Sequence, residues 1–172
     1  CTQGAMGAFA WGIGSTEAEH ALATGTLRVN RPKTMRVRFD GRLAPGVTAK
    51  DLSLALIGQY GSVGGNGYVV EYAGGAVSAL EVEARLTLCN MATEFSAVTG
   101  MIAPDDRTFA YLHGRCYAPR GEHWDRAVAE WRKLRSDDDA RFDREISIDA
   151  GALAPMVTWG TSPQHVVPVD AA

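Results

Sequence analysis

The clearest pattern in the chain is the strict alternation of apolar and charged residues between positions 33 and 39. Three apolar side chains point to one side and two arginines to the other: Met35, Val37 and Phe39 against Arg36 and Arg38. This period of two residues predicts a strand with one buried face and with the two arginines in solvent. Shorter runs predict further strands at 68–72, 101–103 and 145–149, and a short strand or turn at 157–160.

Helices are predicted where a capping sequence precedes apolar residues, or where apolar residues recur every three or four positions. Thr16 with Glu19, and Thr48 with Asp51, have the spacing of capping boxes, and Gly25 is a plausible end for the first helix. Three more helices are predicted at 80–97, from Pro104 and Asp105 onward, and at 122–135.

Because helices and strands alternate along the chain, we expect an α/β fold, layered α/β/α around a mainly parallel or mixed sheet, in a single unit of 172 residues. Composition supports a globular chain, with 46% apolar and 22% charged residues. The net charge is −3, from 17 basic and 20 acidic residues. That balance argues against a nucleic-acid partner, and the absence of an apolar run of about 18 residues argues against a membrane.

The three cysteines, Cys1, Cys89 and Cys116, are too far apart for a Cys-x-x-Cys motif. Their small number fits a reducing compartment, so we expect the protein in the cytoplasm. Cys1 could be a lipidated residue, a nucleophile activated by its own α-amine, or the point where a longer chain was cut. Glycines interrupt residues 4–14, where a hydrolase would need a strand, so we favour the cut chain.

Residues 61–67 contain four glycines and precede a strand. They lack the Gly-Lys-Ser/Thr end of a phosphate-binding loop, and a dinucleotide fingerprint would follow a strand and begin a helix. We therefore interpret this run as a mobile or tightly turned connection.

Candidate chemistry lies on the helix predicted at 80–97. Asn90 and Glu94 are four residues apart and share a helix face, with Thr87 one turn earlier. Because their neighbours are mostly apolar, the two polar side chains either lie at the solvent edge of an amphipathic helix or line a cleft. The pattern alone leaves both interpretations open.

Residues 89–94, with the sequence Cys-Asn-Met-Ala-Thr-Glu, resemble a Cys-Asn-Met-x-x-Glu run on a helix of the aconitase superfamily. Almost the whole chain is similar to this family in the same order, most of all to the large subunit of its bacterial 3-isopropylmalate dehydratase branch. The similar blocks are 12–20, 44–51, 64–71, 83–94, 103–105 and 157–161.

The resemblance implies a hydro-lyase that interconverts 2-isopropylmalate and 3-isopropylmalate in leucine biosynthesis. Members of the family use a [4Fe–4S] cluster in which one iron binds the substrate as a Lewis acid. The resemblance implies that Glu94 is catalytic and contacts the hydroxyl that leaves. It also implies that Asn90 lies just outside the cluster and hydrogen-bonds near its sulfur atoms.

The resemblance also implies parts that are not in this sequence. The family holds its cluster with three cysteines, two of them in Cys-x-x-Cys, and none of the three cysteines here matches them. The serine base and the carboxylate-binding arginines lie on a swivelling domain, which is a separate small subunit in the bacterial form. We therefore expect an internal segment of a large subunit, with that small subunit and a small hydroxy acid as partners. Alone, the segment should bind no cluster and have no activity.

Other functions stay open on these residues. Related hydratases act on homoaconitate or on methylmalate- and citraconate-type acids. A different enzyme class is an N-terminal-cysteine amidohydrolase based on Cys1, and a non-catalytic alternative is an aconitase-like domain kept for binding or assembly.

Overall fold

The structure, a computed structural model, describes residues 2–10 and 12–171, so the predictions that concern Cys1 lie outside the described residues. The helices are α1 Ser15–Thr24, α2 Ala49–Tyr60, α3 Gly75–Ala79, α4 Val82–Asn90, α5 Asp106–Leu112 and α6 Glu122–Trp131. The strands are β1 Lys33–Asp40, β2 Tyr68–Ala73, β3 Thr99–Met101, β4 Arg144–Asp149, β5 Met156–Thr158 and β6 Val166–Pro168. None of the helices in this described part is long and apolar enough to cross a bilayer.

Four strands form a parallel sheet in the order β3-β2-β1-β4, and β5 and β6 form a separate antiparallel hairpin. At the centre of the sheet Val37 lies opposite Tyr72 on one side and Ile146 on the other. The predicted α/β class and the parallel sheet are confirmed. Strand β3 begins two residues before the apolar run that predicted it.

One face of the sheet is apolar and forms the core. Met35, Val37 and Phe39 of β1 are fully buried. They belong to one cluster with residues of helices α2 and α4, among them Leu52, Leu56, Ile57 and Leu88. Each such side chain contributes about 1.5–3 kcal/mol when it leaves water, so this face is the main source of stability.

The opposite face of the sheet is charged, and it is partly covered. Arg36 forms an ion pair with Glu71 at 3.0 Å, and only 15% of the Arg36 side chain is exposed. Ser136 donates a hydrogen bond to Glu71, and the Arg36 guanidinium lies 4.0 Å from the centre of the Phe142 ring. The prediction that Arg36 is solvated is therefore wrong, because the segment after α6 returns across this face. Arg38 is more exposed and pairs with Asp40.

The first helix begins earlier than the sequence predicted. Its N-terminal cap is Gly14, whose N–H donates to the Glu17 carboxylate at 2.8 Å, so Ser15 is the first helical residue. The pair Thr16 and Glu19 therefore does not form the capping box. The end of α1 at Gly25 is confirmed, with Gly25 in the left-handed conformation.

A buried arginine joins three helices. Arg85 of α4 has no exposed surface, and its guanidinium donates to both carboxylate oxygens of Asp105, the N-terminal cap of α5, at 2.8 and 2.6 Å. The same guanidinium donates to the carbonyl oxygens of Ser78 in α3 and Leu80. Arg85 therefore fixes the direction of α4 relative to its neighbours.

Replacing this arginine should destabilise the fold. Arg85→Met keeps much of the side-chain volume but leaves the Asp105 carboxylate without its cation, and breaking a buried pair in this way costs about 3–5 kcal/mol. Because 38% of the Asp105 side chain is exposed, we expect about 3 kcal/mol, the lower end. Urea denaturation of the protein measures the loss. The matched control is Arg107→Met, which removes the exposed pair with Glu81 and should cost less than about 1 kcal/mol. Equal losses in both variants would contradict the role of Arg85.

The same pair predicts an acid-sensitive contribution to stability. Partial burial alone would raise the pKa of Asp105, but hydrogen bonds from Arg85 and Thr108 outweigh it and lower that pKa. A lowered pKa gives stability that is present at neutral pH and is lost as the pH falls through the folded-state value. The difference in unfolding free energy between wild type and Asp105→Asn should therefore be largest at neutral pH and should shrink below about pH 4. Urea midpoints measured across this range check it, and a difference independent of pH would argue against the pair.

Candidate active site

The helix that carries the candidate residues ends sooner than predicted. Asn90 is the last residue of α4, a 3₁₀ turn follows at Met91–Thr93, and Glu94 lies in the turn after it. The predicted continuous helix through residue 97 is therefore wrong, and Asn90 and Glu94 do not share the face of one α-helix. Thr93 Oγ1 donates to the Asn90 carbonyl oxygen at 3.0 Å and closes the turn between Asn90 and Glu94.

Ser96 stops the helix. Its φ is +62°, the left-handed conformation that normally belongs to glycine at this position. The Ala97 N–H then donates back to the Ala92 carbonyl oxygen at 3.0 Å, the six-to-one bond of a Schellman ending. A non-glycine residue in this conformation costs about 1–3 kcal/mol. The Ser96 hydroxyl donates to the Ser62 carbonyl oxygen at 2.8 Å, which links the turn to the glycine-rich connection.

That connection, residues 61–67, is tightly turned around one aromatic ring. Phe95 is 1% exposed, and its ring lies against Gly64 and Gly65. The Gly65 N–H donates to the Phe95 carbonyl oxygen at 2.9 Å, and a Cβ on Gly65 would lie only 2.7 Å from the ring. The structure thus favours the tight turn over a mobile connection. Since Phe95 follows Glu94 directly, this packing also positions Glu94.

The loop of the β5–β6 hairpin reaches the same place from the far end of the chain. Gln164 Oε1 accepts from the N–H and the hydroxyl of Ser62 at 3.3 and 3.2 Å. At the base of the hairpin, Asp51 accepts from the Met156 N–H at 2.7 Å. Burial alone would raise the pKa of Asp51, but hydrogen bonds from Thr48 and Met156 lower it, so the carboxylate stays charged and holds the hairpin on α2.

The turn that carries Glu94, the start of α2 and the β5–β6 hairpin line an open cleft of about 310 Å³. It is lined by Lys50 of α2, by Met91 and Glu94, and by the hairpin residues Thr158, Trp159, Gly160, Thr161, Ser162 and Pro163. The Glu94 carboxylate is exposed and makes no hydrogen bond or ion pair with any residue in the described ranges. Glu94 thus lines this cleft while its carboxylate is exposed to solvent, and its catalytic role stays a prediction. Asn90 is exposed at the end of α4 and does not line this cleft.

Sequence reasoning missed Lys50 and the hairpin as parts of the site. Lys50 directly precedes the capping residue Asp51 and looks like an ordinary solvated lysine. The hairpin lies more than 60 residues from Glu94. The available signals were three hydroxyl residues in and just after the turn predicted at 157–160, namely Thr158, Thr161 and Ser162, and the similarity of blocks 44–51 and 157–161 to the aconitase superfamily.

The described residues do not form a site for an iron–sulfur cluster. Within 2–10 and 12–171 no group of three or more His, Cys, Asp or Glu side chains is placed to hold a metal. Cys89 is buried in the core, and burial raises the pKa of its thiol to about 12, whereas a cluster ligand is a thiolate. Cys116 is exposed and free.

Comparison with known proteins agrees with the resemblance to the aconitase superfamily that the sequence blocks indicated. A family model described as the aconitase family (aconitate hydratase) matches residues 1–172. The chain belongs to the aconitase family. It is 61% identical over 170 residues to 3-isopropylmalate dehydratase large subunit 1 of Bradyrhizobium diazoefficiens. The match covers 99% of this chain and 36% of that relative, so the chain spans about a third of the length of the curated relative. Enzymes of the aconitase family generally use a [4Fe–4S] cluster.

Because the Phe95 ring packs closely against Gly65, adding a methyl group at position 65 should destabilise the protein. In Gly65→Ala the new Cβ would also lie 2.9 Å from the Phe95 carbonyl oxygen, so the turn that carries Glu94 must shift. Overpacking of this kind costs about 1–3 kcal/mol. Gly12→Ala is the control, since nothing lies within 4 Å of its Cβ position. Chemical denaturation of the two variants measures the difference, and a Gly65→Ala protein as stable as wild type would contradict the tight packing.

Proposed function

We propose that the complete protein is the large subunit of a 3-isopropylmalate dehydratase. It would interconvert 2-isopropylmalate and 3-isopropylmalate in leucine biosynthesis by removing water and adding it back. The observation that carries this proposal is the 61% identity over nearly the whole chain to a protein of that name. The exposed carboxylate in the Glu94 cleft supports it independently, because removal of water requires a group that exchanges a proton with the departing hydroxyl.

Glu94 is the catalytic residue in this proposal. As a carboxylic acid it donates a proton to the hydroxyl as the C–O bond breaks, while the serine base proposed on the small subunit takes the proton of the neighbouring carbon; the C–H electron pair forms the double bond and water leaves. In the reverse step the Glu94 carboxylate takes a proton from water as its oxygen adds to one carbon, and the base returns its proton to the other carbon. Its position suits both steps, because Phe95 fixes the turn while the carboxylate is exposed to the cleft and to substrate.

The remaining machinery belongs, in this proposal, to other parts of the enzyme. The cluster ligands lie elsewhere in the large subunit, and the serine base and the carboxylate-binding arginines lie on a separate small subunit. Asn90 stays a predicted neighbour of the cluster. Its exposed position at the end of α4, one turn before Glu94, is compatible with a group that approaches from outside this chain. The enzyme would act in the cytoplasm, without a nucleic-acid or membrane partner.

Glu94→Gln tests the proposed role. The amide keeps the shape of the side chain but cannot exchange the proton, so we expect turnover to fall by about 10²-fold or more. The assay uses the full-length large subunit assembled with its small subunit and cluster, and it follows the ultraviolet absorbance of the unsaturated acid. Glu83→Gln, on the exposed side of the first turn of α4, is the matched control and should behave as wild type.

The visible spectrum of the cluster and the thermal midpoint should be unchanged in both variants. Wild-type turnover in Glu94→Gln would contradict the catalytic role and would show that Glu94 is an ordinary solvated side chain. A wild-type assembly that does not convert 2-isopropylmalate would refute the proposed function itself.

A further inference from the structure

Among the described residues that line the Glu94 cleft, Lys50 is the one other charged side chain. Lys50 lines the same cleft as Glu94, and no ion pair of 4.0 Å or less joins the Lys50 ammonium to the Glu94 carboxylate. Within the described residues the Lys50 ammonium has no hydrogen-bond or ion-pair partner. A cation and an anion therefore face one cleft, and both can form hydrogen bonds with a bound molecule.

The positive charge of Lys50 does not stabilise the fold. Lys50 lies in the first turn of α2, where the helix dipole disfavours positive charge. The Thr48 N–H and hydroxyl both donate to Asp51 at 2.7 Å, which caps the helix without help from Lys50. The side chain is exposed and contributes nothing to the core. Lys50 therefore has no part in the core or in the helix cap, and its ammonium group is available to a ligand.

The backbone around Lys50 is nevertheless held firmly in place. Asp51 is the residue next to it, and its second carboxylate oxygen accepts from the Met156 N–H at the start of β5. The first turn of α2 is thereby tied to the strand that leads into Thr158 and the hairpin loop. On the other side Gln164 ties that loop to Ser62. Lys50 and the loop hydroxyls of Thr161 and Ser162 consequently belong to one rigid wall of the cleft.

We propose that Lys50, with the hydroxyls of Thr161 and Ser162, binds a carboxylate group of the hydroxy-acid substrate while Glu94 contacts its hydroxyl. This inference rests on the proposed function and adds a substrate-positioning residue to it. An ammonium group offers three donors, and bonds from a charged donor to a carboxylate are the strong ones. In a 2- or 3-hydroxy acid the carboxylate and the hydroxyl lie within one or two carbons of each other, so the two groups of the cleft can hold one molecule.

The test separates binding from chemistry in the assembled enzyme with full-length large subunit, small subunit and cluster. In Lys50→Met the KM for the hydroxy acid should rise at least about tenfold, while kcat changes by less than about threefold. Lys50→Arg keeps the charge and should recover most of the affinity. Lys133→Met removes an exposed lysine outside the cleft and is the matched control, with unchanged kinetics. The thermal midpoint of Lys50→Met should not fall, because the fold does not use its charge.

The substrates are 2-isopropylmalate, citramalate and citrate, so that the two proposals can fail separately. Wild-type turnover with a KM in Lys50→Met within about twofold of wild type would overturn the role of Lys50. So would an equal loss in Lys50→Arg and Lys50→Met. If the enzyme acts only on citramalate or citrate, the proposed function falls and the Lys50 variants are judged on that acid. An enzyme active on none of the three would remove both proposals.

Discussion

The arrangement of the candidate site depends on one buried ring, that of Phe95. The ring fills the space that side chains would occupy at Gly64 and Gly65, and the backbone of the same residue accepts a hydrogen bond from Gly65. A glycine-rich connection is therefore required here by close approach and not by flexibility. Because Glu94 is the preceding residue, the packing of an apolar side chain sets the position of a polar one. The catalytic candidate is exposed, yet its backbone is anchored in the core.

The second constraint is electrostatic and acts at Arg85, ten residues earlier in the chain. Arg85 is completely buried and its donors reach Asp105 and two carbonyl oxygens, so it joins α3, α4 and the start of α5. Removing a guanidinium from water costs about as much as such a pair returns, so the gain is chiefly in geometry. Arg85 defines the direction of α4, and Phe95 defines where the chain goes after α4 ends. Together they fix the turn that presents Glu94.

Local patterns in the sequence predicted most helices and strands. They did not predict where each element ends or which residues distant in the sequence come into contact. Alternation located β1 because one face of that strand is fully buried, and the capping box at Thr48 and Asp51 located α2. The end of α4 at Asn90 was missed because no glycine or proline marks residues 91–95, where the chain passes into a 3₁₀ turn. The solvation of Arg36 was wrong because the covering Phe142 is 106 residues away. Lys50 was missed for the same reason, since no local pattern brings it to Glu94.

The distribution of unpaired polar groups argues that the cleft is a working site. In the described part of the chain every buried side-chain nitrogen or oxygen atom has a hydrogen-bond partner. The carboxylate of Glu94 and the ammonium of Lys50 lie outside this rule, because both are exposed and have no partner among the described residues. Hydrogen bonds of Asp51, Gln164 and Ser96 hold the backbone beneath them. Polar groups on a backbone held in this way keep their relative positions, which is what a binding site requires.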